Sequence, residues 1–192
     1  MSTDLGYVDL IGADAVGQPG QRRFRLFVRT PRGSAVLWME KEQLNSLSLA
    51  IDRFLAQLTQ GQILRTEAQA GRQPIPEVMP ADFPRKPSHD IQVAQMRLTY
   101  DEGSGKLLLS AVPGEIMRGI GEEAQLVVYE EETISFLFTQ QQAQKLSSDI
   151  SVLVAAGRPV CPFCHTPLDG SPHACIKQNG HREIIQDEEE EE

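Results

Sequence analysis

Val36-Leu37-Trp38-Met39-Glu40-Lys41-Glu42-Gln43-Leu44 and, 99 residues further on, Ser135-Phe136-Leu137-Phe138-Thr139-Gln140-Gln141-Gln142-Ala143 are the stretches that decide the fold. Each runs from an apolar strand-like segment into a polar start and then a helix. Thr139 with Gln142 has the form of a capping box, in which the hydroxyl and the glutamine side chain satisfy each other's orphan backbone N–H groups. Glu40 holds the corresponding place in the first stretch and is a weaker cap. Beyond these starts, Leu44, Leu47, Ile51, Phe54 and Leu55 fall opposite Ala143, Leu146, Ile150, Leu153 and Val154. Both sets form one apolar stripe at helical spacing. Gly157 and Pro159 end the second helix.

The chain therefore reads as two repeated strand-helix halves, about residues 5–60 and 89–157. Identities are few, and the strands before each helix fall out of phase by one residue at this offset, which calls for a small insertion. Duplication and chance likeness of two strand-to-helix units both account for the match.

In the first half Phe24, Leu26 and Val28 alternate with Arg23, Arg25, Phe27 and Arg29, the pattern of a strand with one buried face. Thr30-Pro31-Arg32-Gly33 then predicts a hairpin turn into Ala35–Met39, and Tyr7–Val16 supplies an earlier strand. The second half offers strands over Ile91–Tyr100, Lys106–Val112, Ala124–Tyr129 and Thr133–Phe138. Within Ile91–Tyr100 the apolar set shifts from odd to even positions, which places a bulge near Ala94-Gln95. Short links favour antiparallel pairing. The expected fold is α+β, a mainly antiparallel sheet covered by two amphipathic helices, with Trp38 and Phe138 in its core. This body spans residues 1–157, and five prolines within residues 73–87 mark an extended linker at about 61–88 between the halves.

All three cysteines and three of the four histidines lie in the stretch from Cys161-Pro-Phe-Cys164-His165 through His173-Ala-Cys175 to His181. Cys-x2-Cys delivers two thiolates from one tight turn, and His173 with Cys175 completes a tetrahedral Cys3His set with no position left for water or substrate. The expected cofactor is a structural Zn2+ held by Cys161, Cys164, His173 and Cys175 in a knuckle over residues 158–182, with His181 the rival for the fourth place. A thioredoxin-like redox pair would open a helix after a strand, whereas this motif comes after the helix stop Gly157-Arg158-Pro159.

The 192-residue chain carries a net charge of −9 with 40% hydrophobic residues. Six of those negative charges sit in Asp187–Glu192, within a tail, residues 183–192, whose composition predicts disorder, and the rest of the chain is only about −3. Acidity makes nucleic acid an unfavoured partner. No apolar run approaches the roughly 20 residues of a membrane span, and the first residues lack a signal-peptide pattern, so a cytoplasmic location is expected. Cysteines confined to one knuckle fit a reducing compartment.

Arg22, Arg23, Arg25, Arg29 and Arg32 gather five guanidinium groups in eleven residues. Arg23, Arg25 and Arg29 on one strand face form a candidate anion site; the competing reading is a solvated face paired with Glu130, Glu131 and Glu132. No catalytic residue is assigned. With the knuckle set aside only His89 remains as a histidine base, and Gly119-Ile-Gly121 is too short for a dinucleotide loop.

Gly17-Gln-Pro-Gly20-Gln21-Arg before a strand, Lys41-Glu-Gln43 opening a helix, and Ala156-Gly157-Arg158-Pro159-Val-Cys161-Pro-Phe-Cys164 ahead of Pro167-Leu-Asp169 and His173-Ala-Cys175 resemble a known family, the bacterial domain of unknown function 3090. The resemblance covers nearly the whole chain. It implies a bacterial cytoplasmic protein, often encoded near a histidine-phosphatase-like and a kinase-like protein, and it assigns no catalytic residue. His165 stands where a glycine commonly comes after the second cysteine, and the Glu188–Glu192 tail is a second departure. The function expected is a non-enzymatic protein-binding or adaptor module with an unidentified protein partner. The alternatives are an enzyme or binding protein for a phosphorylated or anionic small molecule, and nucleic-acid binding through the knuckle.

Overall fold

The computed structural model of the chain describes residues 2–17, 21–58, 78–117 and 123–155. Eight strands and two helices run in the order β1 (Thr3–Tyr7), β2 (Leu10–Val16), β3 (Arg23–Thr30), β4 (Gly33–Met39), α1 (Lys41–Leu58), β5 (His89–Asp101), β6 (Lys106–Met117), β7 (Gln125–Val128), β8 (Ile134–Phe138) and α2 (Gln140–Ala155). A single 3-10 turn, Glu130–Glu132, precedes β8. The strand order is β1-β8-β6-β5-β4-β3-β2, with β7 beside β6. The fold is α+β, as the alternating and helical patterns imply.

The sheet is mixed. Pairing is antiparallel except at two places, β4 with β5 and β1 with β8. Short links do forbid parallel neighbours within a half, but these two pairs join the halves. One is connected through α1 and the long segment up to β5, the other through most of the chain. The expected strand Tyr7–Val16 is two strands, broken at Val8-Asp9. There the Val8 N–H donates to Leu137 of β8 and the Asp9 N–H to Arg29 of β3. β1 and β2 end the strand order and are consecutive in the chain, meeting at Val8-Asp9. β5 repeats the arrangement: its start lies parallel to β4, its remainder antiparallel to β6, and the register shifts between Val93 and Gln95, the bulge that the sequence pattern places there.

One face of the strands carries Leu5, Leu26, Leu37, Leu107, Leu109, Phe136 and Phe138, which pack with Leu44, Leu47, Ile51, Leu146 and Ile150 of the two helices. Each such burial contributes roughly 1.5–3 kcal/mol. The alternation within β3 dictates this: Phe24, Leu26 and Val28 face inward, and Arg23, Arg25, Phe27 and Arg29 face out. Phe27 nonetheless is fully buried, because Phe83 stacks edge-on against it at 5.8 Å with Val36 alongside. Gly12 faces Phe27 across the β2–β3 pair, and a side chain there would meet the ring at 2.5 Å. The end of the proline-rich segment thus lies against the outer face, held also by Met79 N–H to Asp14 and by Ser88 to Ser34.

Trp38 is not in the core with Phe138. At an offset of 99 it corresponds to Leu137, the outward residue of its pair, and its ring lies on the outer face under two arginines. β4 and β8 are in phase at this offset, Leu37 with Phe136 and Met39 with Phe138. The larger displacement comes earlier, where Leu26 pairs with Leu37 and Leu109 with Phe136, an offset of 83.

Candidate functional site

The proposed zinc ligands Cys161, Cys164, His173 and Cys175, and His181, lie outside the described residues, as do the acidic tail and residues 59–77. Among the described residues no cluster of three or more His, Cys, Asp or Glu could hold a metal ion. His89 opens β5 opposite Ala35.

The arginines of β3 are engaged, though not with Glu130–Glu132. Arg25 grips Asp14 with two hydrogen bonds, Nε to Oδ1 at 2.6 Å and a terminal nitrogen to Oδ2 at 2.9 Å. Asp14 is buried and also accepts the Met79 N–H at 3.1 Å. Arg29 pairs with Asp82 at 3.0 Å, and Arg32 with Asp4 at 2.8 Å. Arg23 lies 4.4 Å from the centroid of the Trp38 ring and reaches Gln92 at 3.4 Å, while Trp38 donates its indole N–H to Asp90. The structure brings Arg23 and Arg25 together over Trp38 and sends Arg29 to a different partner. The acidic partners are separated from the arginines by 11 to 53 residues in sequence, which is why charge pattern along the chain points to the wrong glutamates.

The helices start alike. Gln142 accepts the Thr139 N–H and donates to Val8 O; Gln43 accepts the Glu40 N–H and donates to Val93 O. Each glutamine therefore ties a helix start to the break in the first strand of the other half. Thr139 completes its box by accepting the Gln142 N–H. Where α1 crosses α2, Ser48 and Ser147 meet at 2.8 Å, and each hydroxyl is also within reach of the other's carbonyl. Ser147 donates further to Asp52. Between α1 and β5 lies an open cleft of about 430 Å³ lined by Ser46, Leu47, Ala50, Ala94, Met96 and Leu98. The Asp101 carboxyl is held below its ordinary value by the Ser104 side chain close to it and by the Ser104 N–H, which donates to it at 3.1 Å in the exposed β5–β6 turn.

The remaining feature is a short two-stranded ribbon. β6 continues past Ala111, its last residue opposite β8, and pairs there with β7: Ile116 lies opposite Leu126 and Met117 opposite Gln125. Ile116 is 69% exposed, Leu126 57% and Met117 56%. Around them Glu115, Glu123, Glu130, Glu131 and Glu132 are all exposed. Periodicity does not single out these apolar residues, since they read like any strand. The signal is length, a twelve-residue β6 set against a five-residue β8.

The family model described as Protein of unknown function (DUF3090) matches residues 4–175. The chain belongs to the DUF3090 family. That match takes in every described strand but the first residue of β1, both helices, and the segment from Cys161 to Cys175; His181 falls outside it. No curated protein and no solved structure matches this DUF3090 chain. No described helix is long and apolar enough to cross a membrane.

Proposed function

We propose that this DUF3090 protein is a non-enzymatic protein-binding or adaptor module of the bacterial cytoplasm, with a structural zinc near its C-terminal end. The observation that carries the binding role is the exposed Ile116–Leu126 pair with Met117 beside it. An exposed apolar cluster on a two-stranded ribbon gains nothing from water and marks a surface for a partner to cover. Capture from the native cytoplasm with the full chain and with the Ile116→Ser, Leu126→Ser variant tests it. A partner held by the first and lost by the second is expected; equal recovery by both removes the surface from consideration.

The zinc reading rests on donor chemistry. Cys161, Cys164, His173 and Cys175 supply three thiolates and an imidazole, the closed set that a structural tetrahedral site uses. The family match runs through Cys175 and stops before His181, which favours His173 as the fourth ligand. Metal content near one equivalent by mass spectrometry, on protein purified without added zinc, is the expected result. Less than half an equivalent with three freely titratable thiols is the contrary one.

The two halves are also best read as a duplication. The support is the recurrence of the same bonds at an offset of 99: Gln43 with Gln142 as strand ties, and Ser48 with Ser147 as each other's partner.

An anion site on Arg23, Arg25 and Arg29 would require Asp14 to release Arg25. That leaves a buried carboxylate without its cation, and breaking a buried pair in this way costs about 3–5 kcal/mol. If replacing the three arginines leaves affinity for phosphate-containing ligands unchanged, this reading and the enzyme built on it fall. Nucleic-acid binding through the knuckle predicts salt-sensitive association, and its absence at low salt would remove that reading.

A further inference from the structure

We infer that the outer edge of β7 docks an extended, basic segment of another protein, which adds as a strand beside Gln125–Val128. This rests on the reading of Ile116 and Leu126 as a partner surface and supplies the shape and charge of the segment that binds there.

Three observations lead to it. Among the described residues β7 pairs with β6 alone, and those N–H and C=O groups of Gln125–Val128 that face away from β6 meet no hydrogen-bond partner. A row of such groups is a template for a further strand. Next, Ile116 and Leu126 face each other across the pair and therefore lie on the same face of the ribbon. A strand added beside β7 would place every second side chain next to Leu126, continuing that apolar strip. Finally, Glu115, Glu123, Glu130, Glu131 and Glu132 are exposed, and among the described residues none forms an ion pair.

The charge decides between occupants. A second copy of this chain would bring the same carboxylates against each other, and like charges across a strand pair are destabilising. A segment that alternates Lys or Arg with apolar residues meets both the strip and the rim, and gains in encounter rate as well. With only four residues in β7, the contact belongs to the small, transient class of interfaces.

The test places the photo-crosslinker p-benzoylphenylalanine at position 125 of the full chain, in the cells that make it, and sequences the crosslinked segment by mass spectrometry. The expected product is a segment of a different protein containing at least two Lys or Arg alternating with apolar residues. Its yield should fall by about tenfold or more in the Glu115→Lys, Glu123→Lys, Glu130→Lys variant. The Glu→Gln triple serves as a second variant if the lysines alter the unfolding midpoint. No crosslink, a crosslink to a second copy, an acidic or uncharged segment, or a yield indifferent to charge would each overturn the inference. A partner that crosslinks through a helix and is lost with Ile116→Ser, Leu126→Ser would sink the added strand and leave the partner surface standing. No crosslink together with no effect of the serine pair would sink both.

Discussion

Between Val28 and Ala35, partners across β3 and β4, the chain needs six residues; between Ala111 and Ile134, partners across β6 and β8, it uses twenty-two. The first connection is the tight turn at Thr30–Gly33. The second holds the run-on of β6, all of β7 and the Glu130–Glu132 turn. Inside those paired residues the two halves match: Phe24, Leu26 and Val28 pair with β4 as Leu107, Leu109 and Ala111 pair with β8, and all six lie in the core. Change is tolerated outside the last core pair. Core positions are fixed by packing on both sides, whereas a connection leaving the last core pair can lengthen at little cost and carry a new surface.

The largest expected effect tests the core match. Leu47 and Leu146 correspond at an offset of 99 and both are buried, but Leu47 borders the open cleft against β5. Leu146→Ala should cost about 3 kcal/mol, and Leu47→Ala about 2, because a cavity beside open space adds less. Urea unfolding of both variants measures this, and a reversed order would break the comparison. Next in size is the helix crossing. Ser48→Ala and Ser147→Ala should each cost about 1 kcal/mol, and the double variant less than their sum, since each single change already removes the one hydroxyl–hydroxyl bond that the two share. Strict additivity would mean that the hydroxyls do not act as a pair.

A smaller effect separates the helix starts. Thr139 caps with its side chain, while Glu40 contributes backbone groups alone, its N–H to Gln43 and its C=O to the Leu44 N–H. Thr139→Ala should cost about 1 kcal/mol and Glu40→Ala about 0.5 kcal/mol or less. Equal losses would mean that Glu40 caps in a way the geometry does not show. The smallest concerns Asp101, whose folded value is lowered, so its turn is held at pH above the ordinary carboxylate range and released as pH falls through the lowered value. The protection of the Ser104 amide, taken relative to its intrinsic exchange rate at each pH, should fall only on that acid side, and a pH-independent protection would contradict it.

The features legible in the sequence are those governed by neighbours within one turn or one strand. Thr139 and Gln142 sit three residues apart and form their box; Thr30–Gly33 closes its hairpin; the phase change at Ala94-Gln95 is a bulge. The features that escaped depend on residues far apart. Val8-Asp9 breaks a strand because β8 and β3 claim its two sides, and nothing local says so. Trp38 looks like a core residue until Arg23 and Asp90 occupy the outer face with it. Phe83 looks like linker, but Phe27 needs a cover, and Phe83 supplies it. The ribbon surface escaped for a related reason: Ile116 and Leu126 alternate like buried strand residues, and only the pairing shows that they lie beyond the part of β6 that runs beside β8, where both are exposed.

The partner surface is the part of the account most open to direct contradiction. Ile116→Ser with Leu126→Ser removes two exposed side chains, so the unfolding free energy should change by about 0.5 kcal/mol or less. Titration calorimetry of the captured partner against the wild-type chain and this variant is the decisive measurement. Affinity weakened by about tenfold or more with folding intact is the expected result; an unchanged dissociation constant would contradict a partner surface at Ile116 and Leu126.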